Sequence, residues 1–189
     1  MHSLDDHAGL PFLLGICTEK EPYCLVLQFH GCGEESLTLH KGIKQKLLNK
    51  TSSTFQDICS AVEYIHSKGF LHNDLKSNNV LLEPKKNGFR PMMIDFGKNG
   101  PIENERGYKW SYGAEYIAPE VKKRYKQSCA SDVYSFGKML EGAVHRRSFG
   151  SLFANIISKA TAFSPALRPS VREIFSSTCK FCSKVIYLS

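Results

Sequence analysis

The run from His72 to Gly97 constrains this chain more than any other stretch. It holds, in order, His72-Asn73-Asp74-Leu75-Lys76, then Asn79, then Asp95-Phe96-Gly97. Between the two clusters lie Val80, Leu81 and Leu82, then Asn87-Gly88, then Pro91 to Ile94. Short apolar runs on either side of an Asn-Gly pair read as a β-hairpin. The hairpin folds the chain back and returns Asp95 to the side of Asn79. A lone Asp-Phe-Gly is only a turn with a capping Asp, and a lone His-x-Asp says less still. The two in order, joined by a hairpin, form a specific signal.

This pattern resembles the catalytic loop and metal-binding turn of the protein kinases, H-R-D-L-x-x-x-N followed by D-F-G. The resemblance implies transfer of the ATP γ-phosphate to a protein hydroxyl, with ATP and Mg²⁺ as cofactors. It places Asp74 as the base that orients the attacking hydroxyl and Lys76 as the contact to the γ-phosphate. Asn79 and Asp95 become the Mg²⁺ ligands, since that ion favours oxygen ligands and shares them with substrate phosphates. Leu81 would pack the adenine.

Upstream, Pro11 to Cys17 and Tyr23 to Phe29 are apolar runs separated by a polar segment, as in an antiparallel strand pair. They resemble the last two strands of a kinase small lobe. On that match Leu27 is the gatekeeper, and Gln28 to His30 begin the hinge that binds the adenine edge. A Gly-rich loop, a strand Lys and its Glu partner normally come first, and none precedes this hairpin. Gly31-Cys32-Gly33 follows the hinge and cannot replace them. The expected fold is therefore α+β and protein-kinase-like. Residues 1–30 form a partial, remnant β small lobe with the hinge, and 31–189 a mostly helical large lobe.

Helical patterning supports that outline. Residues 36–48 read as a short helix with Leu37, Leu39, Ile43 and Leu47 apolar. Ser52 or Ser53 is placed to cap a longer helix whose apolar face is Phe55, Ile58, Cys59, Val62 and Ile65, ending at Gly69. His66 lies beside that face as a packed or surface side chain.

Asp95 to Glu120 resembles an activation segment ending in Ala118-Pro119-Glu120. Its Gly- and Pro-rich first half predicts a mobile loop, and Tyr108, Ser111 and Tyr112 are candidate phosphorylation sites. Two positions depart from the family pattern. Asn73 replaces an Arg that grips a loop phosphate, and Asn cannot form that bidentate bridge. Ala114 replaces a Thr whose hydroxyl bonds near the catalytic Asp, a loss of about one hydrogen bond, ~0.5–1.5 kcal/mol. Asp132, in a run resembling the buried central helix, is expected to anchor the catalytic loop. Glu120 and Arg168 resemble the large-lobe ion pair. A helix with Leu152, Phe153, Ile156, Ile157 and Ala160 follows His145-Arg146-Arg147 closely, and a last helix holds Val171, Ile174 and Phe175.

The 189 residues are enough for one domain with a real core. No apolar run approaches the ~20 residues of a membrane span. The N-terminal residues lack a secretory pattern. The seven cysteines are odd in number and irregularly spaced, which suits reduced thiols in the cytoplasm. Cys179-x-x-Cys182 has no second pair to complete a zinc site. The net charge of +7 suits acidic partners without pointing to nucleic acid, and the basic run 121–126 reads as a solvated face. Wording around Lys76 favours Ser/Thr over Tyr acceptors and resembles the tyrosine-kinase-like group of Ser/Thr kinases. The expected partners are ATP and a protein substrate. A non-catalytic, pseudokinase-like interaction module is the alternative, resting on the small-lobe parts that do not appear.

Overall fold

Phe55, Ile58, Cys59, Val62 and Ile65 fall at helical spacing, and all are fully buried on one face of a helix. A computed structural model describes residues 7–31, 35–48, 51–102, 114–144 and 150–177, backbone only at 150–152. The candidate phosphorylation sites, Cys32, Cys179, Cys182 and 145–147 lie outside the described residues. In chain order the elements are β1 (Leu13–Cys17), β2 (Cys24–Leu27), α1 (Leu39–Lys44), α2 (Thr51–Ser67), β3 (Phe70–Leu71), β4 (Val80–Lys85) and β5 (Gly88–Met93). They continue with β6 (Gly100–Pro101), α3 (Pro119–Lys122), α4 (Cys129–Val144) and α5 (Gly150–Ala160), and residues 171–177 are again helical. The architecture is α+β, with helices dominant and strands short and paired.

The long apolar helix is α2. Ser52 and Ser53 lie inside it instead of capping it, because Thr51 is already helical. It stops where Gly69 takes a φ of +81 and donates to the His66 carbonyl at 3.0 Å. Its buried face meets α4, where Phe55 and Phe136 pack edge to face at 5.7 Å. Val80, Leu82 and Met93 of the hairpin close the same core, and Phe153 and Ile156 of α5 extend it.

α1 is shorter than its apolar pattern suggests. Thr38 Oγ1 caps it by accepting from the Lys41 amide at 3.2 Å. Leu47, expected inside, is exposed, and its neighbour Leu48 is buried instead. Leu37 and Thr38 add to the edge of β4, where the Leu82 amide donates to the Leu37 carbonyl at 2.7 Å.

α4 and α5 approach closely at Gly137. A Cβ there would lie 2.8 Å from the Ala160 Cβ and 2.9 Å from the Thr161 Cγ2. Gly137→Ala should therefore lose ~1–3 kcal/mol through overpacking. Urea unfolding checks this, and an unchanged midpoint would contradict the close packing.

The β4–β5 hairpin runs in register from Val80↔Met93 to Lys85↔Gly88. Its two-residue loop is Lys86-Asn87, one residue earlier than the Asn-Gly pair suggests. The unusual backbone angle falls on Gly88, at φ +128, where a side chain would be strained. β1 and β2 pair antiparallel with Cys17 opposite Cys24. Leu10 and Leu13 are buried, and the Met93 amide donates to the Gly9 carbonyl at 2.9 Å, tying this N-terminal part to β5. β6 pairs with β3, so Gly100-Pro101 is pinned where sequence patterning suggests a loose loop.

Candidate active site

Three segments deliver the four candidate side chains. The turn after β3 carries Asp74 and Lys76, a 3₁₀ turn at 77–79 carries Asn79, and the exit of β5 carries Asp95. The hairpin's register sets Val80 opposite Met93, which brings Asn79 beside Asp95. Asn79 Nδ2 lies 2.9 Å from the Asp74 carbonyl, 3.2 Å from Asp74 Oδ2 and 3.3 Å from Asp95 Oδ2. Lys76 Nζ donates to Asp74 Oδ2 at 2.9 Å. Asp74, Lys76, Asn79 and Asp95 thus form one constellation. Asp95 holds a left-handed backbone, φ 65 and ψ 68, and Asn73 sits at φ 63. Such angles cost free energy outside glycine and gather at functional turns. Asn tolerates that region better than most residues, a local reason for Asn at position 73.

Two further contacts to Asp74 escape sequence patterning. Lys98 Nζ reaches Asp74 Oδ2 at 3.2 Å, and Tyr116 Oη donates to Asp74 Oδ1 at 3.0 Å. Ala114 therefore does not leave the carboxylate without a hydroxyl donor, because Tyr116 supplies one. The Tyr116 carbonyl in turn accepts from Ser135 Oγ of α4 at 2.8 Å. Burial alone would raise the Asp74 pKa, but Lys76, Tyr116 and Lys98 outweigh it and hold the carboxyl below its usual range. Burial and the Asp74 charge push the Tyr116 phenol upward.

The loop rests on Asp132, which accepts from the amides of His72 at 2.8 Å and Asn73 at 2.9 Å. That matches its expected role as an anchor. His66 adds a third contact, its Nε2 lying 2.9 Å from Asp132 Oδ2. Burial lowers the pKa of His66, yet the bonds to Asp132 and Cys129 prevail and raise it to about 9. Asp132 is pushed up by burial but held below its usual value, first by His66. His72 is wholly buried, which lowers its pKa, and its ring stands 5.1 Å from Phe96.

A pH dependence follows from His66. Its folded pKa lies above the ordinary 6.5, so its contribution is complete below about pH 6.5 and disappears as pH rises through about 9. Unfolding free energy should fall across that window by at most on the order of 3 kcal/mol. His66→Gln should flatten the slope in urea titrations. Parallel slopes in the two proteins would contradict the assignment.

Gln28 and His30 stand elsewhere. They line a cavity of about 360 Å³ with Leu10, Phe12, Glu83 and Met92. The Gln28 amide donates to the Phe12 carbonyl at 2.9 Å, and the His30 carbonyl accepts from Ser36 Oγ at 2.8 Å. None of the four clustered residues lines this cavity. Leu81, 9% exposed, pairs with Met92 across the hairpin.

Among the described residues no three His, Cys, Asp or Glu side chains group to hold a metal alone. Asn79 and Asp95 offer one amide and one carboxylate, which fits an ion that completes its shell with phosphates and water. The Nδ2 bond to the Asp74 carbonyl leaves Asn79 Oδ1 as the side chain's acceptor.

The family model for the protein kinase domain matches residues 1–159. The chain belongs to the protein kinase family. It is 33% identical over 138 residues to the spermatocyte protein spe-8 of Caenorhabditis elegans, covering 71% of this chain and 26% of that protein. It is 32% identical over 136 residues to the serine/threonine/tyrosine-protein kinase HT1 of Arabidopsis thaliana, covering 71% and 34%. It is 32% identical over 161 residues to the kinase suppressor of Ras A of C. elegans, covering 73% and 20%. The chain thus spans between 20% and 34% of the length of these relatives.

Proposed function

We propose that this chain is a catalytic protein kinase domain that transfers the ATP γ-phosphate to a Ser or Thr hydroxyl of a protein substrate. Asp74 accepts the hydroxyl's proton and holds its oxygen in line. Lys76 steadies the transferring phosphate. Asn79 and Asp95 hold Mg²⁺, which together with ATP supplies the phosphoryl group and the charge that shields it. Gln28, His30 and Leu81 flank the adenine, residues 1–30 act as the small-lobe portion with the hinge, and 31–189 as the large lobe. The observation that carries this reading is the Asn79 amide, whose nitrogen lies within 3.3 Å of both the Asp74 and Asp95 carboxylates. HT1, named a serine/threonine/tyrosine-protein kinase, adds Tyr to the candidate acceptors.

No helix among the described residues is long and apolar enough to cross a membrane. Cys17, Cys24 and Cys129 are free thiols, and we place the chain in the cytoplasm as part of the same proposal.

A non-catalytic interaction module is the second reading. It draws on one observation, that the cavity beside Gln28 and His30 has no wall in common with the Asp74 cluster. Transfer of radiolabelled γ-phosphate to a generic protein substrate, followed by phosphoamino-acid analysis, separates the two. Labelled phosphoserine or phosphothreonine supports the enzyme. Complete absence of label, with the chain folded, supports the module.

A further inference from the structure

β1 and β2 place two thiols face to face. Cys17 and Cys24 are direct partners in the antiparallel register, next to the pair Ile16↔Leu25. Residues so opposed have Cα atoms about 4.5–5.5 Å apart. A disulfide needs roughly 4.4–6.8 Å. Directly opposed side chains also share one face of the sheet. Both cysteines are exposed and both are free. Cys24 Sγ donates to the Pro22 carbonyl at 3.2 Å, a weak and exposed contact that a sulfur–sulfur bond would replace.

The other described cysteines lack this arrangement. Cys59 is wholly buried in the α2 core, beyond the reach of a solution oxidant. Cys129 opens α4 and hydrogen-bonds His66.

We infer that Cys17 and Cys24 form a reversible cross-strand disulfide, a modification site driven by low-molecular-weight disulfides such as oxidised glutathione. One thiolate attacks a sulfur of glutathione disulfide and releases one glutathione thiol. The second thiolate then attacks the mixed disulfide at the protein sulfur and releases the other. Two electrons pass from the cysteines to glutathione, and the two thiol protons end on the released glutathiones. Exposure and the short closed loop make the bond a labile one, exchanging with the glutathione pool, in contrast to a structural staple. β2 ends at Leu27, immediately before Gln28, so the bond would tether the segment that leads into the cavity beside His30. The inference does not depend on whether the chain transfers phosphate.

The test equilibrates the full chain in glutathione buffers of graded ratio, quenches with acid, unfolds the chain, alkylates the remaining thiols, and maps peptides by mass spectrometry. The expected product is a peptide pair joined through Cys17 and Cys24, lighter by two hydrogens, with Cys59 and Cys129 still alkylated. It should revert in reduced glutathione. In Cys24→Ser, Cys17 should carry glutathione as a stable mixed disulfide. Two outcomes overturn the site. One is Cys17 and Cys24 both alkylatable in fully oxidised buffer. The other is both carrying separate glutathiones in the wild-type chain.

Discussion

Asp74→Asn is expected to lower turnover about 10²–10⁴-fold, the range of a lost general base. Asn keeps the volume and one acceptor oxygen but neither the charge nor the ability to take a proton. Asp74 is nearly buried, and its carboxylate is the common partner of Lys76, Lys98 and Tyr116. The variant therefore also removes one negative charge from beside the two ammonium groups of Lys76 and Lys98. Turnover should be measured beside thermal melting, so that loss of fold is not read as loss of chemistry. A folded variant with wild-type turnover would remove Asp74 from the reaction.

The largest expected effect on stability lies at Arg168. Its side chain is fully buried and forms a bidentate pair with Glu120, at 2.6 Å to Oε1 and 2.8 Å to Oε2. The same fork donates to the carbonyls of Ala130 at 2.9 Å, Ala162 at 2.8 Å and Phe163 at 3.1 Å. It also stacks 4.9 Å from the centre of the Tyr134 ring. Arg168→Ala strands a mostly buried carboxylate and three carbonyls, so ~3–5 kcal/mol should be lost. Arg168→Lys should recover little of that, because an ammonium cannot reproduce the planar fork. Urea midpoints at constant slope report both effects. A loss below about 1 kcal/mol in the alanine variant would contradict the account of this pair.

What sequence patterning reached, and what it missed, follows from the range of the interactions. Asp74, Lys76, Asn79 and Asp95 are joined by one local hairpin, so motif and turn chemistry together bring them into proximity. The α2 face is equally local, since 3.6-residue spacing alone aligns Phe55 with Ile65. Asp132 and Arg168 are legible only through resemblance, because their partners lie 60 and 48 residues away. Tyr116 and Lys98 leave no such trace. Each meets Asp74 only because a segment returns over the loop, and Tyr116 depends on its carbonyl's bond to Ser135. His66 reads from sequence as a packed or surface side chain for the same reason, its partner being in α4. At the ends of elements, small local choices prevailed. Thr38 starts α1 later than the apolar pattern, and Gly88 shifts the hairpin loop by one residue.

The central claim is that Asn79 and Asp95 hold a magnesium nucleotide against Asp74. Calorimetric titration of ATP into the intact chain, with and without Mg²⁺, and into Asp95→Asn, addresses it most directly. The account predicts binding that requires Mg²⁺ and weakens at least about tenfold in the variant, or about 1.4 kcal/mol. ATP affinity unchanged by removal of the ion and by the substitution, or no binding with Mg²⁺ present, would contradict it.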